Sequence, residues 1–351
     1  MASYIYILMR PRITIRDIAL RANVHFTTVS MALRNNPRIG EVTRARIKKI
    51  AEEMGYRPDA MLSALSSYRS SQKTPRYQAT LAWINNHPVR EQLYAVGLYL
   101  DYFEGAKARA AQLGFELEEI WLREPGLTRA RVGTILRTRD IRGVLVAPLP
   151  VYSSIDLLPW EQLAAVSLSY SLRNPKIHTV VPGQYHAMST TLKELRKLGY
   201  RRIGFVCDRE FDQRCDNNWQ AAFWVDYHAQ PLESRVEPLW YGTEPIGEKP
   251  FRAWFKSQRP EVIVPSGYMV AELIRRMGLK VPEDVGLAMH SVPHDDPVNS
   301  GITESGFRIG AAAVEYLLAL LGREEYGVPE MPQQQMVEGC WAPGKTVRRV
   351  R

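Results

Sequence analysis

Cysteine is scarce in this 351-residue chain. There are three, Cys207, Cys215 and Cys340, an odd number with no CxxC pair among them. Neither a disulfide framework nor a zinc knuckle is expected to hold the fold. Long apolar runs are also missing. The longest near the start, residues 4–9 (YIYILM), falls far short of the ~20 residues that span a bilayer. No basic leader with a small-residue cleavage site marks a signal peptide, and Met9 opens a second candidate start at MRPRITI. A cytoplasmic protein without a membrane partner is expected. There is no Gly-rich phosphate loop, GxSxG elbow or HExxH. The chain is therefore expected not to be an enzyme and to need no cofactor.

What is present is a core-forming composition, 45% hydrophobic and 24% charged, long enough for two or three domains. The net charge of +9 is confined to one end. Residues 1–78 hold 14 Lys and Arg against five acids, and the other 273 residues hold 32 of each. This describes a basic module for a polyanion attached to a neutral body.

Thr14 to Ala22 (TIRDIALRA) puts Ile15, Ile18, Ala19 and Ala22 on one helical face. Thr14 can cap the first turn, with Asp17 completing a capping-box-like pair. Asn23 interrupts, a residue that tolerates the left-handed conformation. The next helix should bury Val29, Ala32 and Leu33 and leave Phe26, Thr27, Ser30 and Met31 outward. Hydroxyl side chains are poor helix-interior choices, so an outward cluster of them suits hydrogen bonding to a partner. A third helix, about Glu41 to Met54, buries Ile47, Ile50, Ala51 and Met54 and stops at Gly55. Three short helices with a tight turn between the first two follow the helix-turn-helix plan.

The string ITIRDIALRANVHFTTVSMALRNNPRIGEVTRARIKKIAEEMGYRPD closely resembles the DNA-binding head of the lactose-repressor/galactose-repressor (LacI/GalR) family. The resemblance runs without a gap through Thr14, Asp17, Ala19, Ala22, Val24, Thr28-Val29-Ser30, Ala32-Leu33, Thr43-Arg44, Arg46 and Gly55-Tyr56-Arg57-Pro58. It implies a helix-turn-helix domain over 13–58, with DNA met by Thr14, Arg16, His25, Phe26, Thr27, Thr28, Ser30, Met31, Arg34, Arg38 and Tyr56. Three positions depart from the family. Asn23 stands for the usual turn glycine, His25 for the serine that opens the recognition helix, and Met31 for an arginine that often reads a base edge. Methionine can pack on a thymine methyl but cannot make the forked contact of arginine to guanine, so the operator should differ from the family's common site. The resemblance further implies a hinge helix at 59–69, formed when two subunits meet on DNA. Its Leu65 would wedge into the minor groove. A polar linker follows at 70–78.

From Ala79 onward short apolar runs alternate with amphipathic stretches. Strands are expected at 79–84, 115–121, 143–147, 164–168, 202–206, 236–241, 261–264 and 285–289. Helical patterns include 105–113, 188–198, 217–228 and 269–277. Alternation of this kind argues for parallel sheets with helices on both faces. Lys197–Phe205 (KLGYRRIGF) and Val281–Gly286 (VPEDVG) resemble family phrases, which implies a two-lobed, periplasmic-binding-protein-like effector domain over 79–345. One lobe would take 79–181 with 306–330, the other 182–305 with 331–345.

Ligands of such folds sit at the carboxyl ends of strands, between the lobes. This points to Asn85, Asn86, His87, Pro148, Leu149, residues 266–268 and residues 291–296. Arg214 lies where the family has an arginine that grips the effector, and Trp219 could stack on a sugar or pack in the core. Gly267-Tyr268 stands where the family holds sugar hydroxyls with an Asn-Asp pair, and Ser291 replaces the aspartate expected after the later strand. The expected effector residues are Asn85, Asn86, Pro148, Arg214, Trp219, Tyr268, Ser291 and Asp295. With Arg214 kept and acids lost, a sugar acid is favoured over a neutral sugar. The run His290–Asp296 comes nearest to a metal cluster, but it follows a strand and is interrupted by Pro293, so no metal is expected.

These observations imply a homodimeric repressor that binds a pseudo-palindromic operator in double-stranded DNA and answers to a small polar effector. Two other readings stay open. A cytoplasmic α/β enzyme or small-molecule-binding protein would leave the basic head without a role. A regulator whose effector site has been lost would explain Tyr268 and Ser291.

Overall fold

A computed structural model describes residues 13–33, 39–56, 79–151, 153–242, 244–293 and 296–350. The chain divides into two units, a head (residues 1–74) and a body (residues 75–351). The expected hinge helix, the linker, Arg34, Arg38, Leu65 and Asp295 lie outside the described residues.

The head contains helices α1 (Ile15–Ala22), α2 (Phe26–Leu33) and α3 (Glu41–Glu53). They bury Ile18, Ala19, Ala22, Val29, Ala32, Ile47 and Ala51, with Leu33, Ile50 and Met54 packed at the margin. The expected capping box is present. The Thr14 N–H donates to the Asp17 carboxylate at 2.7 Å, and the Asp17 N–H to the Thr14 hydroxyl oxygen at 3.4 Å. Asn23 takes the left-handed conformation (φ 51°, ψ 51°), and its N–H caps carbonyls of the last turn of α1. The sharp bend brings α2 back against α1.

The body has two six-stranded sheets. Strands β1 (Ala79–Asn85), β2 (Phe115–Trp121), β3 (Gly143–Val146), β5 (Ala164–Ser167), β7 (His178–Pro182) and β13 (Gln334–Val337) form the first, in the order β13-β7-β5-β3-β1-β2. All its pairings are parallel. Strands β8 (Ile203–Asp208), β9 (Leu239–Tyr241), β10 (Val262–Pro265), β11 (Gly286–Val292), β12 (Ser300–Thr303) and β14 (Cys340–Ala342) form the second, in the order β14-β12-β11-β10-β8-β9. Only β14 runs antiparallel to its neighbour there. A two-stranded pair, β4 (Ser153–Ser154) and β6 (Leu172–Asn174), stands apart.

Both sheets are covered on both faces at their centres, which is why their central strands read as nearly unbroken apolar runs. In the first, Leu145 faces a core shared with helices α4 (Gly97–Gln112) and α11 (Gly306–Gly322), and Val144 and Val146 face another shared with α5 (Arg129–Thr138). In the second, Ile203, Phe205 and Cys207 pack under α6 (Gln184–Lys197) and α8 (Asn218–Ala229). Val206 points the other way, toward α9 (Glu248–Gln258) and α10 (Met269–Arg276). Each such side chain contributes roughly 1.5–3 kcal/mol when fully buried. Helices α4 and α11 approach closely through glycine. A Cβ on Gly310 would stand 1.9 Å from the Tyr102 carbonyl oxygen, and one on Gly105 2.0 Å from that of Phe307.

The chain crosses between sheets after β7, after β12 and between β13 and β14. The last crossing corrects one expected boundary. Residues 334–337, expected in the second lobe, pair with Thr179–Pro182 at the edge of the first sheet. This QQMV segment is mostly exposed, so it lacks the apolar run that marks the central strands.

Candidate functional site

The head presents the start of α2. The His25 carbonyl accepts the Thr28 and Val29 N–H groups at 2.9 and 3.3 Å. Its ring Nδ1 lies 2.8 Å from the Thr27 hydroxyl and 3.5 Å from the Thr27 N–H, so the imidazole stands where a serine cap would. His25, Phe26 and Thr27 are exposed, while Thr28, Ser30 and Met31 are half-buried. The His25 and Phe26 rings are 4.4 Å apart between centroids, and the exposed Arg16 guanidinium lies 6.0 Å from the Phe26 centroid. Two expected DNA residues have other commitments. The Thr14 hydroxyl donates to Asp17 at 2.7 Å, and this cap holds the Asp17 carboxyl below its ordinary range. Tyr56 packs against the helix core as a supporting side chain, because the turn after α3 folds it back.

In the body a narrow cavity of about 70 Å³, partly open to solvent, lies between the two sheets' helices and loops. The first lobe supplies Tyr99 and Tyr102 from α4, Pro148, Leu149 and the turn 168–171. The second supplies Gln184, Phe211, Arg214, Cys215, Trp219 and His290, and the crossing after β12 supplies Glu304. Arg214 ends helix α7 (Arg209–Arg214), cants over the Phe211 ring and donates to the Pro150 carbonyl at 3.4 Å. Trp219 is fully buried, yet it lines the cavity and its indole N–H has no acceptor. The same holds for Gln184 Oε1 and His290 Nδ1, two further buried polar atoms without partners. Burial drives the His290 pKa down to about 4, so the ring is neutral at pH 7, and raises the Glu304 carboxyl to about 8. The Cys215 thiol is likewise pushed well above its ordinary value by burial.

Of the expected effector residues, Pro148, Arg214 and Trp219 line this cavity. Asn85, Asn86, Tyr268 and Ser291 do not. Asn85 is buried and its amide is committed: Nδ2 donates to Glu119 at 2.8 Å and to the Arg90 carbonyl, and Oδ1 accepts the His87 N–H. Its loop instead ties down the cavity wall, since His87 Nε2 lies 3.0 Å from the Pro148 carbonyl. Asn86 is buried beside it. Tyr268 is 57% exposed, and its hydroxyl donates to the Ser291 carbonyl at 3.3 Å, away from the cavity. Tyr268 follows a strand end as expected, but α10 begins immediately after it, whereas Ser291 lies within β11. Glu304 escaped the sequence reading, because nothing in ITESGF distinguishes a cleft acid from a surface one. Among the described residues no three His, Cys, Asp or Glu are placed to hold a metal ion.

The model of the bacterial regulatory proteins of the lacI family matches residues 14–59. Residues 14–59 are a lacI-family helix-turn-helix domain. The similarity extends past this lacI-family head. The HTH-type transcriptional repressor CytR of Escherichia coli is 23% identical over 335 residues, covering 90% of this chain and 91% of that one. The probable repressor ExuR of Bacillus subtilis is 45% identical over 58 residues, 16% of this chain and 17% of its own. Among solved structures, the regulator CelR in complex with cellobiose superposes with a TM-score of 0.57 at 17% identity, covering 95% of this chain and all of that one. The lac repressor dimer bound to operator and the anti-inducer ONPF gives 0.55 at 15%, covering 96% and 99%. The chain is homologous to lacI-family regulators and shares their fold.

Proposed function

We propose that this protein is a transcription repressor that binds a pseudo-palindromic operator as a homodimer, with DNA affinity set by a small molecule held in the cleft of its body. The observation that carries the reading is the lacI-family head with the start of α2 left open to a partner. Phe26, Thr27, Ser30 and Met31 then read base edges, Arg16 and the His25 end of the helix meet backbone, and Arg34, Arg38 and Leu65 complete the contact from segments outside the described residues. Relatives named as repressors, and solved neighbours holding an operator and sugars, support the same assignment. No helix among the described residues is long and apolar enough to cross a membrane, and a cytoplasmic, non-enzymatic role fits that architecture. Three buried polar atoms without partners in the cavity support a ligand site that is still in use.

The test is operator selection in vitro followed by a salt titration. A basic head that neutralises about six phosphates should lose roughly a thousandfold in affinity between about 50 and 200 mM salt. Affinity that stays flat across that range would remove the polyanion role from the head.

A further inference from the structure

Glu304 is 8% exposed and lies on the crossing from β12 to α11. It borders the cavity, and no hydrogen bond or neighbouring charge offsets its burial. A buried carboxyl without a partner costs free energy, so its persistence in a binding cleft asks for a partner the chain does not supply. We propose that the cleft takes a ligand carrying a protonated amino group, seated on the Glu304 carboxyl, and that Glu304 rather than Arg214 sets the ligand's charge. This rests on the cleft being the effector site.

Two features of the cavity agree. Its open hydrogen-bonding capacity is weighted toward acceptors: Gln184 Oε1 and His290 Nδ1 lack donors, against one donor without an acceptor, the Trp219 indole N–H. An ammonium group brings three donors and no acceptor, whereas a hydroxyl brings one donor and lone pairs that must also be satisfied. Second, the wall is aromatic, with Tyr99 and Tyr102 beside the acid and Trp219 elsewhere in the lining, and ring faces favour a cation. Arg214 already leans on Phe211 and the Pro150 carbonyl. It can serve an oxygen elsewhere on the same ligand.

The experiment uses the full chain and matched probes that differ in one group: glucosamine, glucose and gluconate, then tyramine, tyrosol and 4-hydroxyphenylacetate. Thermal shift and calorimetry should find binding in an amine member, and Glu304→Gln should weaken it at least tenfold. Binding by wild type should also release about one proton at pH 7, read by repeating the calorimetry in buffers of different ionisation enthalpy. Glu304, held at about 8, carries that proton before binding. His290 is already neutral, and the thiol of Cys215 and the phenols of Tyr99 and Tyr102 titrate well above 7. Tighter binding of the alcohols or acids, amine binding unchanged in Glu304→Gln, or no proton release would each overturn the proposal while leaving the cleft as a ligand site. No binding by any of the six probes would overturn the proposal too, and if no effector from a wider screen changed operator affinity, the effector reading itself would fall.

Discussion

Replacing Glu304 by glutamine should change how the body's stability depends on pH. The folded carboxyl titrates at about 8 against an ordinary 4.5, so between those values the folded state holds a proton that the unfolded state has lost. Stability therefore falls as pH rises through that window. His290 has the opposite sign. Its folded pKa of about 4 lies below the ordinary 6.5, so the unfolded state takes up a proton first and stability falls as pH drops from 6.5 toward 4. The two slopes offset one another between about 4.5 and 6.5, and above 6.5 only the Glu304 slope remains. At roughly 1.4 kcal/mol per pH unit, wild type should lose about 2 kcal/mol between pH 6.5 and 8. Asp212, also raised by burial, pulls the same way, and His87 and His178, lowered by burial, pull with His290. The comparison of wild type with Glu304→Gln isolates the one carboxyl. Urea melts followed by tryptophan fluorescence suit the measurement, because all eight tryptophans lie between Trp83 and Trp341 and report on the body alone. The variant should lose less stability than wild type from pH 6.5 to 8, and its advantage over wild type should grow with pH. Parallel curves would show that Glu304 is not held protonated by its surroundings.

Gly310→Ala should cost about 3 kcal/mol or prevent folding of the body, since the new Cβ would sit 1.9 Å from the Tyr102 carbonyl oxygen. Gly322→Ala on the same helix meets nothing within 4 Å and should be neutral or slightly stabilising; equal effects in urea melts would rule out close helix approach as the cause. Asn23→Ala should lower the head's stability by roughly 1–2 kcal/mol, because alanine fits a φ of 51° poorly, while Asn23→Gly should not. Circular dichroism of the helical signal at rising temperature separates the two, and indistinguishable melting would refute the left-handed turn.

The elements legible in the sequence are those whose signal is local. Thr14, Asp17 and Asn23 act on residues three or four positions away, so cap chemistry alone located both ends of α1. The central strands were legible because burial on both faces removes polar residues from them; all eight expected strands are present, seven of them with shifted ends. Strand β13 was not, because an edge strand with exposed residues needs no apolar pattern and is fixed by its partner β7, about 150 residues earlier. The site divides in the same way. Arg214 was found through a motif-level resemblance, and Pro148 by its place after a strand. Asn85 and Tyr268 met that second rule equally well and still fall outside the cavity. A strand end directs a residue toward the cleft's side of the sheet, but side-chain partners decide whether it reaches the ligand space, and Glu119 claims Asn85. Glu304 is the converse case. Its burial comes from three segments far apart in sequence, the α4 tyrosines, the Cys215 turn and the crossing itself, converging on one carboxyl. A reading that weighs Arg214 without Glu304 assigns the cavity a positive balance and favours an anion. Glu304 adds a carboxyl that is protonated in the free protein and can ionise against a cation, so the choice passes to whichever ionisable group lacks a partner. Arg214 has the Pro150 carbonyl and the Phe211 ring; Glu304 has neither a donor nor a cation, so the ligand's chemistry is set there.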